Sequence, residues 1–175
     1  MSRSHTLARS TRLAGTLVVV ALAVCGCSDS KGTSVVEVPF TAADGSTASV
    51  ADFRGQPLVL NMWATNCRPC VKEMPAFDKV AGEYAGTLQI IGVNVFDNAP
   101  DAAAFAADLG VTYPQFTDPD GALSTALSVT GLPATAFFDE SGKLVDVHQG
   151  AFTADELRAA IAQRFPSITS EGTTP

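Results

Sequence analysis

The chain has 175 residues, 46% of them hydrophobic, and a formal net charge of −7. That apolar content suits a packed core and excludes a disordered chain. Three of the 11 basic residues (Arg3, Arg9 and Arg12) precede the first acid, Asp29, so the rest carries 8 basic against 18 acidic residues, a net −10, which excludes nucleic acid as a partner. The basic start leads into an apolar run, LAGTLVVVALAV (13–24). A membrane span needs roughly 20 residues, so this shorter run reads as the core of an export signal; a short retained anchor helix is the alternative.

VCGC (24–27) follows and resembles the bacterial lipobox, with Gly26 before Cys27 fitting well and Cys25 unusual in the middle. The resemblance implies a signal over 1–26, cleavage before Cys27 and diacylation of Cys27, with 27–38 as acylated cysteine and tether. Two acyl chains suffice for stable anchoring, where one is marginal. The expected location is outside the cell membrane, on its outer face, where disulfides persist. Cys25 then leaves with the signal and Cys27 carries lipid, so only Cys67 and Cys70 remain as free chemistry.

The domain is expected over 39–166. TAADGSTASVADFRG (41–55) holds a D-G turn between short alternations, which predicts a small hairpin. PLVLNMWA (57–64) is a near-continuous apolar run, as in a strand buried on both faces. Residues 67–86 place Val71, Met74, Phe77, Val80, Ala81 and Tyr84 at helical spacing, with Pro75 expected to kink the helix. LQIIGVNVF (88–96) predicts a second buried strand, and 98–110 a helix with Pro100 near its start. VTYPQFTD (111–118) reads as short and extended, and 118–129 as a turn and short helix. ATAFFD (134–139) and KLVDVHQG (143–150) read as an antiparallel pair. A helix over 153–165 opens on a capping box of Thr153 and Glu156. PSITSEGTTP (166–175) has no periodicity, and 167–175 is expected as a flexible tail. Strand-helix-strand-helix followed by strand-strand-helix predicts an α/β domain, with helices on both faces of a mixed sheet.

Cys67 and Cys70 lie between a buried strand and a helix. As a staple, so short a loop would stabilise little. A closed zinc site wants four ligands, and the chain beyond the signal adds only His148. A redox couple fits the placement best. At a helix N-terminus, free N–H groups and the dipole favour a thiolate at Cys67. Cys67 is therefore expected to attack, and Cys70, one turn deeper, to resolve the mixed disulfide. Arg68 adds a positive charge nearby, read equally well as a solvated side chain.

WATNCRPCVKEMP (63–75) resembles the active-site stretch of thioredoxin-like proteins of the TlpA/ResA type, W-A-x-W-C-x-P-C-x-x-E-x-P. Trp63, Ala64, Cys67, Pro69, Cys70, Glu73 and Pro75 match, and Asn66 departs where the family has an aromatic. The similarity runs from about Phe40 to Phe165 and includes a strand-helix insertion near 88–110 and GLPATAFFD (131–139). It implies a thioredoxin fold, with an N-terminal hairpin and the inserted strand-helix unit. It also implies a cis bond before Pro133, facing the cysteines, with the Leu132 backbone pairing to an extended substrate. Without it, Pro133 reads as a trans proline opening a strand. Trp63, four residues before Cys67, is read as packing beside the pair on the substrate side, a place compatible with plain core filling. Glu73 is implicated in proton handling, against a plain reading as a solvated partner of Lys72 or Lys79. Asn61 stands where cytoplasmic thioredoxins have a buried aspartate.

The implied activity is thiol-disulfide exchange on protein substrates, with a membrane redox partner and neither organic cofactor nor metal. The resemblance leans toward a reductant of apocytochrome c or similar targets. An oxidant of exported proteins is the alternative, and a copper-binding chaperone a second one. Copper chaperones of this fold space their cysteines by three and add a histidine, unlike this chain.

Overall fold

The computed structural model describes residues 34–168. The expected signal over 1–26 with Cys25, the expected lipid site at Cys27, most of the expected tether and 169–175 lie outside the described residues. Val35–Glu37 form a 3-10 turn and Val38 is buried, so packing begins ahead of the expected boundary at residue 39. At the other end, Ile168 still packs against the core.

The hairpin is β1 (Phe40–Ala42) and β2 (Thr47–Ala48), closed by Asp44, Gly45 and Ser46. A 3-10 turn over Val50–Phe53 follows. The central unit is β3 (Leu58–Trp63), α1 (Arg68–Glu83), β4 (Gln89–Val95) and α2 (Ala99–Asp108). Then come β5 (Gln115–Asp118), α3 (Ala122–Ala126), β6 (Ala134–Phe138), β7 (Leu144–Gln149) and α4 (Ala154–Arg164). All the predicted elements are present. Pro75 lies inside α1 without ending it.

One seven-stranded sheet runs β2-β1-β5-β4-β3-β6-β7. β3, β4 and β5 are parallel to one another, and the remaining pairings are antiparallel. The hairpin is thus part of the main sheet, joined through β5. This edge is held by Phe40, Phe53 and Phe116, whose rings lie 5.0–6.1 Å apart. It was not foreseen from the sequence, because the short run at 115–118 carries no sign of its partners.

Every residue of β3 is buried, because alternate side chains enter two different cores. Leu58, Leu60 and Met62 pack with Leu123 and Leu127 on the α3 side. Val59 and Trp63 pack with Met74, Phe77, Leu157 and Ile161 on the side of α1 and α4. Arg158 of α4 donates from Nε and Nη2 to both oxygens of Glu83 of α1, each at 2.7 Å. A bidentate pair fixes geometry as well as adding attraction, so the loop entering α4 is set against α1.

Candidate active site

β3 ends at Trp63, and the chain turns over Ala64–Asn66 to reach Cys67, the N-cap of α1. The Cys67–Cys70 disulfide is closed, with 5.3 Å between Cα atoms. The Cys70 N–H donates to Cys67 Sγ at 3.3 Å. Cys67 is half-buried and Cys70 fully buried, so solvent and any partner meet Cys67. Such a sulfur at a helix N-terminus has donors aimed at the charge it carries as a thiolate. Arg68, Pro69 and Asn66 are exposed around it.

The turn holding Cys67 is tied to the end of β4. Asp97 Oδ2 accepts the Thr65 N–H at 3.1 Å and Asn94 Nδ2 at 2.9 Å. The Asp97 N–H returns to Asn94 Oδ1 at 3.1 Å. Burial works to raise the Asp97 pKa, but the hydrogen bonds from Asn94 and Thr65 outweigh it and hold the carboxyl below its ordinary value. Asp97 gives no motif to the eye. Its position just past the carboxyl end of a parallel strand, where α/β folds place their sites, is the one signal that could have found it.

Glu73 sits one turn beyond Cys70 on the same helix face, and only 3% of it is exposed. Its Oε1 accepts Asn61 Nδ2 at 2.7 Å, and its Oε2 accepts the Phe152 N–H at 2.8 Å. Its partners are thus buried, and neither is Lys72 or Lys79. Burial pushes its pKa up to about 7; the bonds from Phe152 and Asn61 oppose the rise without cancelling it. The carboxyl borders a groove of about 460 Å³ beside Pro69, Lys72, Ala76 and Phe152. A group of that pKa at the edge of a groove can take and release a proton near neutrality.

Asn61 is oriented in turn by Tyr113, whose hydroxyl donates to Asn61 Oδ1 at 3.2 Å. Burial raises the Tyr113 pKa well above its ordinary value, so the hydroxyl stays a donor. Tyr113 is 52 residues from Asn61, and sequence reading had no signal for it. Thr135 is paired across the strands with Asn61. Its hydroxyl is the one buried side-chain polar atom without a hydrogen bond among the described residues.

The Leu132–Pro133 peptide is cis, as the resemblance implies. Met62 pairs with Ala134, so the chain leaves β3 toward Cys67 and enters β6 from Pro133 at the same end of adjacent strands. Pro133 C=O accepts the Gly150 N–H at 2.9 Å, whereas Leu132 makes no backbone hydrogen bond among the described residues. Trp63 corrects an expectation. It is fully buried, stacks on Phe105 at 5.9 Å and donates from Nε1 to Gln115 Oε1 at 3.0 Å. Alternation on β3 turns it into the α1 core, so it packs in the cluster of Cys70 and presents no surface to a substrate.

The chain is similar to known proteins over most of its length. The chain is 34% identical over 131 residues to the thioredoxin-like protein YneN of Bacillus subtilis, spanning 73% of this chain and 76% of the relative. It is 30% identical over 147 residues to the thiol-disulfide oxidoreductase ResA of Bacillus subtilis, spanning 82% and 80%. The solved structure of MTB DsbF, in mixed oxidized and reduced forms, superposes with a TM-score of 0.67 at 29% identity, covering 74% of this chain and 96% of that one. Residues 30–162 match the Redoxin family. With its thioredoxin fold and closed Cys67–Cys70 pair, the chain belongs to that family, as a thiol-disulfide oxidoreductase of the TlpA/ResA type.

Proposed function

We propose that the protein works outside the cytoplasmic membrane, held there by lipid on Cys27, and reduces disulfides in other proteins. In this reading the Cys67 thiolate attacks one sulfur of the substrate disulfide, and the other sulfur leaves as a thiolate and takes a proton. The Cys70 thiol gives its proton to the Glu73 carboxylate and attacks Cys67 Sγ. The second substrate thiol leaves, and the Cys67–Cys70 disulfide closes. The pair supplies both electrons; protonated Glu73 passes the Cys70 proton to the second leaving thiolate, the first takes its proton from water in place of the one Cys67 released on ionising, and a dithiol partner at the membrane restores the reduced pair. Leu132, with its free backbone groups, would hold an extended substrate beside Cys67, and Pro133 would shape that loop. Apocytochrome c, whose haem-attachment cysteines must be reduced before ligation, is the target class the resemblance favours.

The observation that carries the reducing direction is the buried Glu73, one helical turn from Cys70. A carboxylate there opposes a second negative charge on the sulfurs, which disfavours the thiolate. A reduced form that is less stabilised gives up electrons more readily. One observation favours the opposite direction. The Cys70 N–H on Cys67 Sγ stabilises a thiolate, and a stabilised reduced form makes an oxidant.

The reduction potential of the pair decides between them. It can be followed by Trp63 fluorescence in the soluble chain from Ser28 onward, against graded thiol-disulfide buffers. A potential of about −250 mV or lower supports the reductant, and one of about −120 to −180 mV assigns the protein to the oxidants and isomerases.

A further inference from the structure

One side chain at the Cys67 end of the sheet is explained neither by the core nor by the disulfide. Phe96 follows β4, and it is 70% exposed. Its backbone is left-handed, with φ at 75°, which is an outlier for a bulky side chain. Exposure and strain both oppose stability, and such features gather where a ligand is held.

The conformation is fixed from two sides. The Phe96 N–H donates to the Asp118 C=O at 3.3 Å. The next residue is Asp97, pinned by Asn94 and Thr65. The ring also needs Gly121, where a Cβ would come within 2.8 Å of Phe96 Cε1.

Phe96 forms a wall of a cavity of about 270 Å³, with Val95, Val129, Thr130 and Leu132 among its other walls and no charged residue in its lining. This cavity lies at the same end of the sheet as the exchange site. β4, β3 and β6 lie side by side, so Phe96 past β4, Cys67 past β3 and Leu132 before β6 share one end of the sheet. Leu132 belongs both to the cavity wall and to the loop with free backbone groups.

A polypeptide laid along Leu132 would use main-chain hydrogen bonds for affinity, and alternate side chains would seek pockets. A charged side chain in this one would lose its water with nothing to replace it. We infer that Phe96, with Val95, Val129 and Leu132, forms an apolar subsite for an uncharged side chain close to the redox cysteine of a polypeptide substrate. The inference rests on the reading that the substrates are polypeptide disulfides.

The test uses the full-length protein in lipid nanodiscs, reduced. Two disulfide-bonded peptides differ only two positions from the cysteine, one with Leu and one with Asp. Second-order exchange rates are normalised to each protein's own rate with glutathione disulfide. The wild type is expected to favour the Leu peptide by about tenfold or more, the range of a hydrophobic pocket. Phe96→Ser should collapse that preference, and Phe96→Leu should keep most of it. Phe96→Gly should lose the preference while raising the thermal midpoint, because glycine accepts a positive φ; this separates the subsite from damage to the fold. Equal wild-type rates with the two peptides, or a preference that survives both Phe96→Ser and Phe96→Gly, overturns the subsite. A preference unaffected by Phe96→Ser, together with a dimer which that change dissolves, overturns it in favour of a second copy on this face. Exchange with glutathione disulfide and with neither peptide overturns the polypeptide reading itself, and the subsite with it.

Discussion

The two faces of the central sheet bury different chemistry, although the same strands build both. On the α3 side, Leu58, Leu60, Met62 and Phe138 meet Leu123 and Leu127. The buried acid there, Asp118, accepts the N–H groups of Leu123 and Ser124 at the start of α3, a carboxyl set at a helix end. On the α1 and α4 side, Asn61 and Thr135 face each other across the strands, and Glu73 and Tyr113 bond to Asn61. Buried polar groups cost stability unless satisfied, so one face serves mainly to hold the fold. The other gives up some dryness where it raises the proton affinity of a carboxyl beside the cysteines.

Substitutions on the two faces should therefore separate stability from chemistry. The largest effect belongs to the pair itself. Cys70→Ser should abolish turnover and trap a mixed disulfide at Cys67, visible as a mass adduct that dithiothreitol removes. Recovery of multiple turnovers by this variant would remove Cys70 from the resolving role.

On the dry face, Leu60→Ala should cost about 2–5 kcal/mol, read from the denaturant midpoint, because Leu60 is fully buried. The reduction potential should stay where it was. If it moved as far as in a Glu73 variant, the contrast between the faces would fail.

Glu73→Gln should act in the opposite sense. The unfolded carboxyl loses its proton near 4.5 and the folded one near 7. The folded protein holds the proton more tightly, so the wild type has no penalty from this group below about pH 4.5. It loses stability as pH rises from about 4.5 to 7, by up to about 3 kcal/mol, and levels off above that. The glutamine variant should lack that decline and be the more stable protein at pH 8, yet exchange more slowly, by roughly 100-fold if Glu73 is the base. Parallel stability curves for the two proteins between pH 5 and 8, or identical pH-rate profiles, would count against this role.

The smallest effect should come from Tyr113→Phe. It removes one buried hydrogen bond to Asn61 and should cost about 1 kcal/mol. A small shift in the pH-rate profile should accompany it, because Asn61 is then less firmly aimed at Glu73.

Much of this was legible in the chain. The apolar run at 58–63 shows a strand buried on both faces, and Thr153 with Glu156 marks the start of α4 by a capping box that the structure contains. The cysteines at 67 and 70, placed between strand and helix, fit a redox couple best, and the flanking Trp63, Ala64, Pro69, Glu73 and Pro75 make that signal specific. Those signals are local, because backbone propensity, capping and period act within a few residues.

What the chain could not show by itself depends on distant partners. Trp63 is a strand residue in any reading, but only the packing of α1 and α2 determines that it is sealed away from a substrate. The motif match singles out Glu73, but its enclosure exists only once Asn61 and Phe152, 12 and 79 residues away, close around it. Its proton affinity is a property of that enclosure, since burial and hydrogen bonding shift a pKa and sequence spacing does not. The same holds for Phe96, whose exposure and backbone strain exist only because Asp97, Asp118 and Gly121 meet around it in the folded sheet.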